Sequence, residues 1–383
     1  MEPQDKQPNQ KLAQNQKLIQ SLHQEVKQLE AKKAYLLAEI KQLELQKQEI
    51  IENSKSPAKT KHQKGFLFKL GFFLAFLSTL YLSCQNIIIA IILNPSSLFS
   101  KLTVGGYITP TVESSLLILW LRMLIVVPLL LVISRFIYPP SWGAIKKVID
   151  CQDWSLTSKV ITSGFFLFLS QILIYLSLGF LPVGTAVTIF FIFPIATIFF
   201  TWFLFGESPN LVRTIVMAIA GLGILLTVVL SSSFSWFGIN TAIGSGVTFA
   251  IYIILTQLCG RKLHPVPFSV LNFITILIFS FLGLLIILPL NAQFSIEAEV
   301  WIKLIISGLL LGILTVISYL FSNMSIRLIG AGNSSIMGTI NSGLTGFLGW
   351  LILGQRLGYE IVGIALVTLG VMGISLERMY RRL

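Results

Sequence analysis

The sequence predicts an all-α membrane protein: about ten transmembrane helices as two inverted five-helix repeats, preceded by a cytoplasmic coiled-coil helix. Three observations carry this. Charged residues make up only 11% of the 383, against about 25% in an ordinary soluble domain. After residue 65 the chain repeatedly runs about 20 residues without a charge, enough to cross a hydrocarbon core of roughly 30 Å at about 1.5 Å per residue. The third is that residues 164–206 match residues 312–354 at a constant spacing of 148.

The N-terminal segment is a different kind of sequence. Residues 1–64 hold 12 Lys and 8 Asp or Glu, and the remaining residues hold 16 basic residues and only 8 acids. Within 12–50, Leu12, Ile19, Val26 and Ile40 fall on one heptad position, and Leu22, Leu29, Leu36, Leu43 and Ile50 on the other. Apolar residues every 3.5 positions make a seam that a second helix can bury, so this stretch predicts a coiled coil. A solvated single helix is the plainer alternative. Residues 53–64 read as a linker whose lysines form a basic collar suited to anionic lipid heads.

The spans are expected near 66–93, 114–137, 158–181, 184–205, 211–231, 239–260, 267–289, 301–324, 330–353 and 357–377. Leu181-Pro182-Val183-Gly184 predicts a tight turn between antiparallel helices, and the Pro-, Ser- and Gly-rich stretch 94–113 an extramembrane loop. With a cytoplasmic N-terminus, one set of loops carries Arg135, Lys146, Lys147, Lys159, Arg213, Arg261, Lys262, Arg327, Arg378, Arg381 and Arg382. The opposite set carries only Lys101, Lys303 and Arg356, with Glu113, Glu297, Glu299 and Glu360. The positive-inside rule therefore predicts that both termini are cytoplasmic. A polar N-terminus with no cleavable signal, and a basic cytoplasmic face, fit a bacterial plasma membrane or its organelle equivalent.

At the spacing of 148, Gly164 pairs with Gly312, Ser170 with Ser318, Ser177 with Ser325, Gly184 with Gly332, Thr197 with Thr345, Trp202 with Trp350 and Gly206 with Gly354. Each repeat has an odd number of spans, so the second enters the membrane the opposite way from the first. Inverted repeats of this kind supply two interconvertible conformations. The domain organisation expected is 1–64 as coiled coil and linker, 65–235 as the first repeat and 236–383 as the second with a basic tail.

The stretch Gly184-Thr185-Ala186-Val187-Thr188-Ile189-Phe190-Phe191-Ile192-Phe193-Pro194, closing in Gly206-Glu207, resembles the fourth helix of the drug/metabolite transporter superfamily in its ten-helix EamA-type branch. A second copy ends in Gly354-Gln355. The resemblance covers roughly 66–378 and not the coiled coil. Ser342 stands where the first copy has Pro194, Gln355 where it has Glu207, and Ser83-Cys84-Gln85-Asn86 replaces the Trp-Gly pair common in the family's first helix. The resemblance implies a permease for small metabolites with a central site between the repeats.

A polar side chain in hydrocarbon is costly unless it faces protein or water, so each one is a site candidate. Arg122, a third of the way into span two, is a candidate counter-charge for an anionic or carboxylate-bearing substrate. Its plainer role is a structural Arg bonded to carbonyls or reaching to the interface. Gln85 and Asn86 lie in span one, Gln171 and Tyr175 in span three, Tyr252 in span six and Asn272 in span seven. Tyr319 and Asn323 lie in span eight, Asn341 in span nine. Pairs at i, i+4 share one helix face and suit a cavity; interhelical hydrogen bonding is the alternative. Pro194 is a hinge candidate because it removes a backbone donor. Gly308 and Gly312 permit close helix packing.

The expected function is movement of a small metabolite, such as an amino acid or organic anion, by alternating access. A membrane scaffold that recruits a protein through its coiled coil is the alternative. Catalytic residues, metal ligands and cofactors are not expected: His23, His62 and His264 all lie outside the spans, and no acid lies at mid-membrane. The partners expected are a small-molecule solute, the lipid bilayer and a homo-oligomer or protein partner through 12–50. Nucleic acid is not expected, since the N-terminal lysines alternate with Glu and carry no aromatics.

Overall fold

The computed structural model describes residues 61–98, 102–151, 153–206, 211–231, 234–260, 262–290, 297–338, 340–355 and 358–380. The coiled coil predicted at 12–50 lies outside them. Among the described residues of the membrane body, Leu67 to Leu383, the regular elements are helices apart from one small hairpin. Among the described residues of this body seven helical stretches are long and apolar enough to cross a bilayer, and Thr214–Val229 and Glu360–Gly370 are shorter apolar helical stretches. Its outer surface is apolar: Phe203 is 79% exposed, Ile286 64% and Ile302 63%. A contiguous surface of that kind belongs in lipid rather than water.

Helix α1 (Lys61–Leu93) is followed by strands β1 (Pro95–Leu98) and β2 (Leu102–Gly105), an antiparallel hairpin with Ser96 opposite Val104. The hairpin occupies the loop expected at 94–113. Gly105 and Gly106 have positive φ, which lets the chain fold back so that the N–H groups of Gly106 and Tyr107 donate to the carbonyls of Ile91 and Ile92 at 2.9 Å. These bonds satisfy carbonyls that the end of α1 would otherwise leave unpaired. Helix α2 (Val112–Ile137) starts at Thr111, whose hydroxyl accepts from the Ser114 N–H. Helix α3 (Ser141–Ile149), within a stretch expected to be loop, precedes α4 (Trp154–Phe180), whose N-cap is Asp153.

The predicted fourth span is broken in two, α5 (Val183–Phe190) and α6 (Phe193–Phe205). Pro194 sits in the first turn of α6, where a missing N–H costs nothing. Helices α7 (Leu211–Val229), α8 (Trp236–Cys259) and α9 (Pro265–Leu290) follow. Next, α10 (Ala298–Gly338) runs through the turn expected between 324 and 330, so the predicted span 330–353 is divided between its last turns and α11 (Asn341–Leu353). The first repeat turns at Leu181-Pro182; the second has Ile329-Gly330 there and no proline to end the helix. Helix α12 (Glu360–Tyr380) completes the described body.

The repeat is visible in the geometry. Ile192 and Ile340, 148 residues apart, are the N-caps of α6 and α11. Gly206 and Gly354, also 148 apart, close those helices with φ of 71° and 62°, a left-handed cap that glycine adopts without a Cβ clash. Ser170 and Ser318 each form a reciprocal clasp with a helix of the other repeat. Ser170 Oγ donates to the Ser245 carbonyl at 3.0 Å and Ser245 Oγ to the Ser170 carbonyl at 2.8 Å. Ser318 and Ser78 exchange the same two bonds at 2.9 Å. Gly164 sits against Thr275 of α9, and Gly312 against Ile125 of α2. Thus α4 packs on α8 and α9, and α10 on α1 and α2.

Candidate functional site

The central feature is Arg122, 6% exposed. It lies on the α2 face that meets α10, because Gly308 and Gly312 let α10 come close at Leu121 and Ile125. Its Nε donates to Thr315 Oγ1 at 2.8 Å; its Nη1 donates to Tyr175 Oη at 2.6 Å and to Gln171 Oε1 at 3.2 Å. Gln171 and Tyr175 present together because they are four residues apart on α4. Thr315 Oγ1 lies 2.9 Å from Gln85 Oε1 and 2.6 Å from the Leu311 carbonyl, either of which its single proton can serve. The chain Arg122–Thr315–Gln85 therefore joins α2, α10 and α1.

Every one of those partners is neutral. Among the described residues no carboxylate lies within ion-pair distance of Arg122, and Nη2 donates to none of them. A guanidinium has five N–H donors and is always charged, so the site holds a cation whose charge is met only by dipoles. Beside it lies a cavity of about 190 Å³. Gln85, Asn86, Arg122, Gln171, Tyr175 and Asn341 line its polar side; Phe190 and Phe249, with ring centroids 5.2 Å apart, close its apolar side. Asn341, at the first turn of α11, accepts from Ser83 Oγ at 2.8 Å, and Asn86 Nδ2 reaches Thr345 Oγ1 at 3.4 Å. Both bonds cross between the repeats, as does that of Gln355, whose Oε1 accepts from the Val183 N–H at 3.2 Å and caps α5.

Six of the ten predicted side chains thus share one cavity. The other four do not line it. Asn272 Oδ1 accepts from Ser163 Oγ at 2.7 Å, and its buried Nδ2 has no partner among the described residues. Tyr319 Oη is likewise buried without one, with its ring edge-on to Phe273. Asn323 Nδ2 turns back to the Tyr319 carbonyl at 2.8 Å. The Tyr252 ring packs on Phe249, behind the cavity wall. Asn272 is three residues before Thr275 and Arg122 three before Ile125, so Asn272 occupies in the second repeat the place of Arg122 in the first. Thr315, Ser83, Phe190 and Phe249 are not among the site candidates read from the sequence.

A multi-pass helical body with an apolar surface, two interlocked repeats and a small polar cavity between them is the architecture of an integral membrane transporter. The EamA-like transporter family matches residues 86–229 and 236–376, and this chain belongs to it. It is 32% identical over 314 residues to the uncharacterized transporter sll1319 of Synechocystis sp., covering 81% of this chain and 94% of that protein. A crystal structure described only as that of a protein covers 81% of this chain and 98% of its own, with 17% identity and a TM-score of 0.44. The protein is therefore a transporter of the bilayer that handles a small-molecule solute.

Proposed function

We propose that the transporter carries a small carboxylate-bearing metabolite, an amino acid or organic anion, by alternating access between its two repeats. The observation that supports this is Arg122. A buried charge without an ionic partner is costly, and such groups within membranes mark substrate pathways. A carboxylate entering the cavity would take the open Nη2 edge in a charge-assisted bond, stronger than the neutral bonds around it. Gln171, Tyr175, Gln85, Asn86 and Asn341 would orient the rest of the molecule, and Phe190 and Phe249 would cover its apolar part. The broken helices α5–α6 and α10–α11 meet the cavity through Phe190 and Asn341, which makes the break ahead of Pro194 the hinge in this reading. Residues 65–235 and 236–383 would be the moving halves, with both termini cytoplasmic in a bacterial plasma membrane.

The test is a thermal-shift screen of amino acids and organic acids on the purified protein, repeated with Arg122→Ala and Arg122→Lys. A ligand of the folded state at about 100 times its Kd contributes roughly 2.7 kcal/mol. The expected result is a carboxylate that raises the melting temperature of the wild type, less so that of Arg122→Lys, and not that of Arg122→Ala. An equal rise in all three removes Arg122 from the site.

A further inference from the structure

A second cavity, of about 540 Å³, lies at the basic end of the bundle, remote from Arg122. It is built where the end of α2, all of α3, the start of α4 and the approach to α9 meet. Ala144, Val148, Leu156 and Leu263 form an apolar floor; Tyr138, Lys147 and Lys262 carry polar groups at the rim. The Tyr138 ring stacks flat on His264, centroids 4.0 Å apart and planes 4° apart, which holds that wall. Thr157 Oγ1 donates to the Val148 carbonyl at 3.0 Å, pinning the last turn of α3 to α4 next to Lys147.

The charges do not cancel. Asp153, also on the rim, is taken by Lys262 at 2.7 Å, and that hydrogen bond holds its carboxyl below the usual carboxylate range. Lys147 has no ion-pair partner among the described residues. Beside the cavity, apolar side chains face outward: Phe136, Trp142, Ile149 and Trp154 are all exposed. Ile145 and Val148 of α3 are buried while Trp142 and Ile149 are not, with Lys146 and Lys147 between. A short helix of this kind at the ends of membrane spans lies in the interface, and tryptophans sit at headgroup depth.

A soluble anion needs the cations but not the apolar floor or the outward tryptophans. A neutral amphiphile needs the floor but not the free cation. We propose that this cavity is a binding site for an anionic phospholipid, its phosphate on Lys147 and Lys262 and the first part of its chains on the α3–α4 floor. The site anchors α3, and through it the α2–α4 connection, to the lipid headgroups. It stands independently of the substrate assigned to Arg122.

The experiment uses the full chain, purified and stripped of lipid, with retained lipid read by native mass spectrometry. Phosphatidylglycerol and phosphatidylcholine are offered to the wild type, Lys147→Gln, Lys147→Arg and Lys303→Gln. Lys147 is exposed, so its variants are expected to fold, and melting temperatures measured alongside check this. The expected result is that the wild type retains phosphatidylglycerol about fivefold over phosphatidylcholine, a factor in keeping with one lysine near an anionic surface. Lys147→Gln is expected to lose that preference, with Lys147→Arg and Lys303→Gln keeping it. Equal retention of the two lipids, or an unchanged preference in Lys147→Gln, overturns the site. Glycerol 1-phosphate serves as the soluble arm: if millimolar amounts displace the lipid, the site recognises a free phosphate ester and the lipid assignment is wrong.

Discussion

At the scale of single residues, the energetics turn on how Arg122 is satisfied. Its Nε has one partner, Thr315 Oγ1. Removing that hydroxyl leaves a buried charged donor unpaired, at a cost of about 1–3 kcal/mol. Thr315→Val is therefore expected to lower the melting temperature and to weaken carboxylate binding; Thr315→Ser should restore both. Asn272 is the converse case. Its Nδ2 is already unpaired among the described residues, and Ser163 Oγ has a second acceptor, the Val160 carbonyl, at 2.8 Å. Asn272→Leu should leave the melting temperature unchanged or raise it. If the same variant loses transport in proteoliposomes, Asn272 serves the solute; if transport persists, the residue is structural. Polar candidates such as Gln171 and Asn341 were legible because each is an amide side chain inside a predicted span. Thr315 was not. A membrane threonine ordinarily returns its hydroxyl to its own helix, as Thr197, Thr248 and Thr275 do here. Nothing in the local sequence separates Thr315 from these.

At the scale of elements, close packing and helix breaks set the geometry. Gly312 meets Ile125 and the Arg122 carbonyl. A side chain there would push α10 away from α2 and draw Thr315 off Arg122. Gly312→Leu is expected to cost about 1–3 kcal/mol by overpacking and to weaken substrate binding. Gly221 has open space around its Cβ position, so Gly221→Ala should stabilise α7 by roughly 0.5–1 kcal/mol. Thermal unfolding of the two variants in one detergent checks the contrast. The helix ends at Gly206 and Gly354 were readable from the repeat. Helix α3 was not: nine residues carrying two lysines give no long apolar run, and its two buried apolar side chains, Ile145 and Val148, are explained only by the neighbours that cover them.

At the scale of the whole molecule, the Ser170–Ser245 and Ser78–Ser318 clasps tie each repeat to the other in the same way. On the proposed alternating-access reading, interfaces matched in this way would supply two arrangements of similar energy. In this reading a cysteine at Asn86, within the cavity, should react with a membrane-impermeant thiol reagent from one side of the bilayer, and saturating substrate should alter its rate. A rate indifferent to substrate argues against rearrangement at the cavity. We also propose that residues 12–50 make the transporter a homo-oligomer. Deletion of residues 1–52 should then reduce the particle mass in detergent by a whole-number factor, beyond the loss of the segment itself.

The sequence alone determined that this is a helical membrane protein, roughly where its spans lie, and that its two halves are related. Each of these is written in local terms, as runs of apolar residues, loop charges and a constant spacing, because a bilayer imposes one length and one polarity on every segment. Only the tertiary structure decided that Arg122 meets Thr315, Gln171 and Tyr175 but, among the described residues, no carboxylate, that six of the predicted polar side chains, from α1, α2, α4 and α11, share one cavity, and that α10 continues where α4 stops. These depend on which helices are neighbours. A hydrogen bond between residues 193 positions apart has no counterpart in the period of either helix that makes it.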